Sequence, residues 1–378
     1  MDLTSPLFGP EEMEMLKNCL DSKWVTQGPI TKEFEDLISA RQEVKHALAT
    51  TSCTAALHLS ILSLNVEPED EVIVPAFTWI TSANAAEYVG AKAVFVDIDP
   101  LTYNLDATKL ESAISSKTRA IIVVHLFGLA AEMDPIMKIA NRHGLAVIED
   151  AACAIGTTYN GEAVGGIGTL GCFSFHPRKV ITTGEGGCVT TNNADLAASI
   201  VSLRNHGATG LPDSTQEDIG PWTMATFKKL GFNLRLSDIQ SAVGVAQFAK
   251  LDMLLKERRR LALNYSELLG HLDGIAVPTR NVNSAGHTFQ SYVIRVLEGG
   301  RKKRNQIMQN LADNDIASRP GTHAVHKLEY YASRYNLKPD DYPIAAKSED
   351  QTITLPLFPG MTEEQQNKVV SVLTSALL

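Results

Sequence analysis

The sequence predicts an α/β protein: a large domain built on a mostly parallel sheet covered by helices, with a smaller α+β domain at the C-terminal end. Short, continuously apolar runs recur at 71–75 (EVIVP), 92–97 (KAVFVD), 119–125 (RAIIVVH) and 145–150 (LAVIED). Segments of helical period separate them. Strands that are apolar throughout are buried on both faces, and helical crossovers of a dozen or more residues are what a parallel sheet requires. The length of 378 residues points to more than one core, since a domain averages roughly 150 residues.

Taken in order, the elements bear this out. The segment TTSCT (50–54) leads into AALHLSILSL, whose Leu57, Ile61 and Leu64 share one helical face. Between the third and fourth runs, Asp134 is placed to cap a helix, Pro135 to open it, Ile136, Ile139 and Ala140 to form its apolar stripe, and Gly144 to end it. Two further runs, 171–175 (GCFSF) and 187–191 (GCVTT), flank HPRKVITTGEGG, whose glycines demand a tight backbone path. A long helix from Ser237 to about Leu268 connects to the second unit. That unit shows a strand at 291–296, a helix at 302–312 and a closing helix opened by Thr362, with Gln365 three positions on in capping-box spacing. The domains are accordingly 1–245 and 246–378.

Lys plus Arg number 34 against 43 for Asp plus Glu, a net charge of −9. That balance offers no chain-wide attraction to nucleic acid or anionic lipid, so any anionic ligand must be held locally. The N-terminus carries no cationic stretch followed by an apolar run, and no window approaches the ~20 apolar residues of a membrane helix. A cytoplasmic protein is expected. The five cysteines, Cys19, Cys53, Cys153, Cys172 and Cys188, include no CxxC pair. Neither a disulfide framework nor a metal site is indicated, and buried thiols are the expectation.

In an open parallel sheet, ligands sit beyond the carboxyl ends of the strands. Asp150 and His125 end two runs there, and Ser174, His176 and Lys179 follow a third. The hydroxyl-rich start of the 53–64 helix would suit a phosphate, through free N–H groups and the positive dipole end, or serve simply as a cap. Lys179 is either a solvated surface group or a partly desolvated amine able to form a Schiff base with a carbonyl cofactor. Pyridoxal phosphate needs a lysine for its aldehyde, a carboxylate facing its ring nitrogen, donors for its phosphate and a flat side chain on its ring, and all four types are present.

The ordered set of segments resembles the DegT/StrS-type sugar aminotransferases, pyridoxal-phosphate enzymes of the aspartate-aminotransferase fold, fold type I. It comprises WVTQGP (24–29), SCTAAL (52–57), PAFTW (75–79), VDID (96–99), HLFG (125–128), IEDAA (148–152), SFHPRK (174–179), GEGG (184–187), LRNHG (203–207), GFNLR (231–235) and LPLFP (355–359). The resemblance implies that Lys179 forms the Schiff base, Asp150 faces the pyridine nitrogen and Trp79 stacks on the ring. Ser52, Cys53, Thr54 and Ser174 would surround the phosphate, and Cys153 would lie near the cofactor where glutamine or histidine is usual. Asn233 would reach the phosphate of a neighbouring subunit's cofactor, which implies a homodimer with shared active sites. His176 and Glu185 would lie near the sugar. In RPGTHAVH (319–326), His323 stands at a position often held by tyrosine, and His326 ends the segment.

The activity so implied is transfer of an amino group from glutamate to a nucleotide-linked keto sugar, a 4-keto-6-deoxy sugar, in bacterial surface-polysaccharide (lipopolysaccharide, O-antigen) or deoxyaminosugar biosynthesis. Lys228, Lys229, Arg235 and Arg319 are candidates for the pyrophosphate, with Arg235 and Arg319 preferred because they fall inside family-like segments. Two other readings are amination of a keto-inositol and a cofactor- or sugar-binding regulator without turnover. Lys179 argues against the dehydratase branch, in which histidine replaces the lysine.

Overall fold

A computed structural model describes residues 1–209, 220, 222–279 and 286–377. Helices α1 (Pro10–Ser22) and α2 (Pro29–Arg41) lead into β1 (His46–Thr50), and α3 (Cys53–Ser63) carries the chain to β2 (Glu71–Pro75). After the two-residue β3 (Phe77–Thr78) come α4 (Thr81–Glu87), β4 (Lys92–Val96), α5 (Ala107–Leu110), β5 (Thr118–Val124), α6 (Met133–His143) and β6 (Ala146–Asp150). A small hairpin, β7 (Thr158–Tyr159) and β8 (Glu162–Ala163), precedes β9 (Leu170–Ser174), β10 (Gly187–Thr191) and α7 (Ala194–Arg204). Helices α8 (Asp238–Ala249) and α9 (Leu251–Leu269) lead to β11 (Ile275–Ala276) and β12 (Tyr292–Val296). The chain ends with α10 (Gly300–Asp313), β13 (His323–Ala324), α11 (Glu329–Tyr335), α12 (Pro343–Gln351), β14 (Thr352–Leu355) and α13 (Glu363–Leu377).

The large sheet has the order β1-β10-β9-β6-β5-β2-β4. Strand β10 is antiparallel to both its neighbours, and every other pairing is parallel. The runs at 71–75 and 187–191 form strands over those same residues, and the others shift by a residue or so at their ends. Continuous apolarity has a direct cause. Val72, Val74, Ala120, Ile122 and Ile148 pack on one face with Leu57, Leu59 and Ile61 of α3. On the other, Ile73, Ile121, Val123 and Val147 pack with Ile136 and Ala140 of α6. Each such aliphatic side chain removed from water contributes about 1.5–3 kcal/mol.

Three local expectations are corrected. Helix α6 opens two residues early, with Glu132 at its N-cap and Met133, fully buried, as its first residue. Asp134 therefore lies in the first turn, where the helix dipole favours an acid, instead of capping it. Gly144 ends the helix in the left-handed conformation at φ 65°, as predicted. Helix α3 does not present a single apolar stripe: it is buried on almost every side, between the sheet and helices α4 and α7. The long connector is two helices meeting at Lys250, whose amine grips both carboxylate oxygens of Glu12 at 2.8 Å.

The second sheet, β11-β12-β14, is antiparallel. Its core joins Leu261 and Tyr265 of α9 to Tyr292, Ile294, Leu311, Ile353 and Leu373. Helix α9 links the two cores, because its first turns put Leu251, Leu254 and Leu255 against the large sheet's core. The predicted box opens α13: Gln365 N–H donates to Thr362 Oγ1 at 3.1 Å, and Thr362 N–H to Gln365 Oε1 at 2.9 Å. A short antiparallel ribbon pairs β13 with β3, His323 opposite Thr78, and so fixes the 323–324 segment beside the C-terminal end of β2.

Candidate active site

Strand β6 ends at Asp150, which is only 5% exposed. Its carboxylate accepts hydrogen bonds from Ser82 Oγ at 2.8 Å and Ala152 N–H at 3.2 Å, with the Cys53 thiol at 4.0 Å. Burial pushes its pKa up, while Ser82, the Ala152 N–H and the nearby Lys179 pull it back. A central strand thus delivers a desolvated carboxylate short of donors to the sheet's carboxyl edge. A cationic partner would complete it.

Lys179 lies in the turn after β9, anchored by its own N–H on His176 O at 2.8 Å. Its half-buried amine points at Cys153 Sγ, 3.2 Å away. Gly184, at φ 82°, lets the chain reverse after this turn. Gly187 allows a close approach, because a Cβ there would come within 2.3 Å of the Ser52 carbonyl carbon. Strand β10 therefore runs directly against the start of α3.

That helix start is capped by Ser52, whose Oγ accepts from Ala55 N–H at 3.1 Å. The N–H groups of Cys53 and Thr54, in the first turn, have no intrahelical carbonyl to bond. Burial and Asp150 push the Cys53 thiol up, which keeps it protonated. Ser174 stands at the end of β9, 9% exposed. Trp79, on the segment between β3 and α4, is exposed, and its ring lies 5.5 Å from that of His323. Segments from the two ends of the chain therefore meet at Trp79, just beyond β3.

The remaining predicted residues divide. His176 is half-buried, its pKa lowered by burial, and its Nδ1 accepts from Arg178 N–H at 3.2 Å. Glu185 and Asn233 are exposed. Arg235 donates to Asn205 Oδ1 at 2.6 Å and pairs through its backbone with Thr50. Arg319 is half-buried beside β14, with Cys153 and Arg178 as its electrostatic neighbours. His326 is not brought to this group. It is fully buried against the Tyr342 ring and within 3.3 Å of Pro339 O. His125, expected at the shared edge, is equally buried and bonds Glu149 at 2.9 Å. Sequence reasoning missed Ser82, 68 positions from its partner Asp150 and tied to it by no regular spacing.

The sequence pattern of the DegT/DnrJ/EryC1/StrS aminotransferase family matches residues 6–374. The chain belongs to this family. A relative, the GDP-perosamine synthase of Caulobacter vibrioides, is 38% identical over 379 aligned residues, covering 100% of this chain and 98% of its own. Among solved structures, Spr1654 of Streptococcus pneumoniae in its PMP form superposes with a TM-score of 0.94 at 28% identity, covering 100% of this chain and 98% of that one. PseC of Helicobacter pylori, an aminotransferase involved in the biosynthesis of pseudoaminic acid, gives 0.92 at 26% identity, covering 99% and 98%. The protein is a pyridoxal-phosphate-dependent sugar aminotransferase of fold type I. Among the described residues no helix is long and apolar enough to cross a membrane.

Proposed function

We propose that this aminotransferase moves an amino group from glutamate to a nucleotide-linked 4-keto-6-deoxy sugar, acting in the cytoplasm on precursors of surface polysaccharide or deoxyaminosugars. The observation that carries this reading is end-to-end similarity, at 38% identity, to a GDP-perosamine synthase, whose name specifies a nucleotide-linked amino sugar. The site's chemistry agrees with it. A buried, under-coordinated carboxylate, an amine 3.2 Å from a thiol and a helix start with free N–H groups fit the ring nitrogen, aldehyde and phosphate of the cofactor.

Pyridoxal phosphate, when bound, supplies an aldehyde that takes up an amino group and a ring that withdraws electrons from the adjacent carbon. Lys179 would hold that aldehyde through its amine. A free Lys179 amine would be placed to take up and return a proton at the reacting carbon. Asp150 would face the ring nitrogen and favour its protonated form, and Ser82 fixes the carboxylate's orientation. Ser52, Cys53, Thr54 and Ser174 would hold the phosphate, Trp79 would cover the ring, and Cys153 positions the lysine amine. His176, Glu185 and His323 line the sugar's approach, and Arg235 faces its pyrophosphate.

The reading includes a homodimer in which Asn233 completes the neighbouring subunit's phosphate site. The exposed Trp222, Met224, Phe227 and Leu230, close before Asn233 in the chain, support a covered surface there. Purified protein is expected to absorb visible light, and glutamate is expected to shift that absorption. Nucleotide-linked 4-keto-6-deoxy sugars should be aminated in preference to keto-inositols. Turnover of the inositols alone would overturn the substrate assignment, and a spectrum moved only by another amino acid would overturn the donor.

A further inference from the structure

A small pocket opens beside the proposed reactive lysine, between the turn that carries Lys179, the segment leading into β12 and strand β14. Its polar lining includes Arg178, Arg319, Gln290 and Thr354. Two of these side chains carry a buried polar atom without a partner: Arg319 Nε and Thr354 Oγ1 each make no hydrogen bond. Thr354 is 3% exposed. Among the described residues neither Arg319 nor Arg178 forms an ion pair, and burial holds the Arg319 pKa below its usual value. A guanidinium N–H withdrawn from water with no acceptor to meet it is costly, and an anion relieves that cost through charge-assisted hydrogen bonds.

The surroundings restrict which anion. Arg178 precedes Lys179 in the chain, and Gln290 ties the turn down by donating to Arg178 O at 2.8 Å. Arg319 also lies near Cys153, whose sulfur is 3.2 Å from the lysine amine. The pocket therefore lies next to the reacting atoms. An amino acid carries a carboxylate on the carbon that bears its amine, whereas a 4-keto sugar carries its pyrophosphate across a six-membered ring from the reacting carbon. The remaining walls include Leu355 and Leu357, which suit methylene groups and not a nucleotide.

We propose that this pocket binds a carboxylate of the amino-acid donor, with the Arg319 guanidinium and the Thr354 hydroxyl as its donors. The proposal rests on Lys179 being the cofactor-bearing amine. It also moves Arg319 from the sugar nucleotide's pyrophosphate to the donor.

The test uses glutarate, which has the carboxylate spacing of glutamate and no amine, titrated calorimetrically into the holoenzyme, together with steady-state kinetics. Arg319→Gln should weaken glutarate binding tenfold or more and raise the KM for glutamate by a similar factor. The KM for the keto sugar and the cofactor's resting absorption should stay within twofold of wild type. Arg319→Lys should recover part of the loss. Should Arg319→Gln fold poorly, Thr354→Val removes one donor at almost constant shape, and a several-fold loss of glutarate affinity is expected. Unchanged glutarate binding in these variants, or a rise in the sugar's KM in place of glutamate's, overturns the proposal. A cofactor absent from Lys179 would instead sink the reading of the site, and glutarate titration of the apoprotein would still report on the pocket.

Discussion

Glu149 and Asp150 are neighbours at the end of β6, both buried, and they have opposite surroundings. Glu149 accepts from the N–H groups of Gly165, Ile167 and Gly168 at 2.7, 2.9 and 2.6 Å, and meets His125 Nε2 at 2.9 Å. The other ring nitrogen of His125 accepts from Ala131 N–H at 3.1 Å, so the Nε2 proton points at Glu149. Asp150 receives only Ser82 and one backbone N–H, with a thiol at the edge of contact, and its pKa is pushed up by burial. Equal burial with unequal satisfaction separates architecture from site. A saturated carboxylate holds loops together, and an unsaturated one waits for a ligand's charge.

The contrast breaks most visibly at Asp150. Asp150→Asn should lower turnover by about 10²–10⁴-fold. The apoprotein should respond in the opposite sense. A carboxyl whose folded-state pKa is raised contributes stability below its unfolded pKa and loses it as pH rises through the folded value. Wild-type apoprotein should therefore lose stability relative to Asp150→Asn as pH climbs from about 4 toward neutrality, measured by thermal melts across pH, with the unfolded reference near 3.9. A flat difference between the two proteins would break the comparison.

Glu149→Gln inverts the pattern. It should cost about 3–5 kcal/mol of folding stability, because donors converging on a buried charge are left facing an amide. Cofactor absorption per folded molecule should hardly change, as read by denaturant titration beside the visible spectrum. A Glu149 variant that is stable but colourless would reverse the assignment of roles.

Smaller effects sharpen the boundary between the two regions. Gly187→Ala must displace the start of α3, since the new Cβ would meet the Ser52–Cys53 backbone at 2.3–2.5 Å. A strain of about 1–3 kcal/mol is expected, appearing as weaker binding of the cofactor, and of its phosphate in particular, in equilibrium dialysis. Cys153→Gln replaces a weak sulfur partner of Lys179 with an amide. It should shift the resting absorption band and change kcat by less than tenfold.

Much of this was legible in sequence because it rests on local or periodic causes. Continuous apolar runs mark strands buried on both faces, and glycines at 184 and 187 mark a tight path. The start of α6 was misplaced because Pro135, lacking an N–H, is tolerated at several positions of a first turn, whose amides have no helical partner in any case. Ser82 was invisible because its partner lies on another element at no regular spacing. His326 was drawn toward the substrate by its segment, yet the ring of Tyr342, sixteen residues on, encloses it. The pairing of Arg319 with Thr354, from opposite sides of α11 and α12, is likewise a tertiary fact.

The most direct measurement is reduction of the purified holoenzyme with borohydride, followed by digestion and mass spectrometry of the peptides. One modified peptide is expected, carrying the reduced cofactor on Lys179. A label on any other lysine, or none in a protein that still turns over, would contradict it.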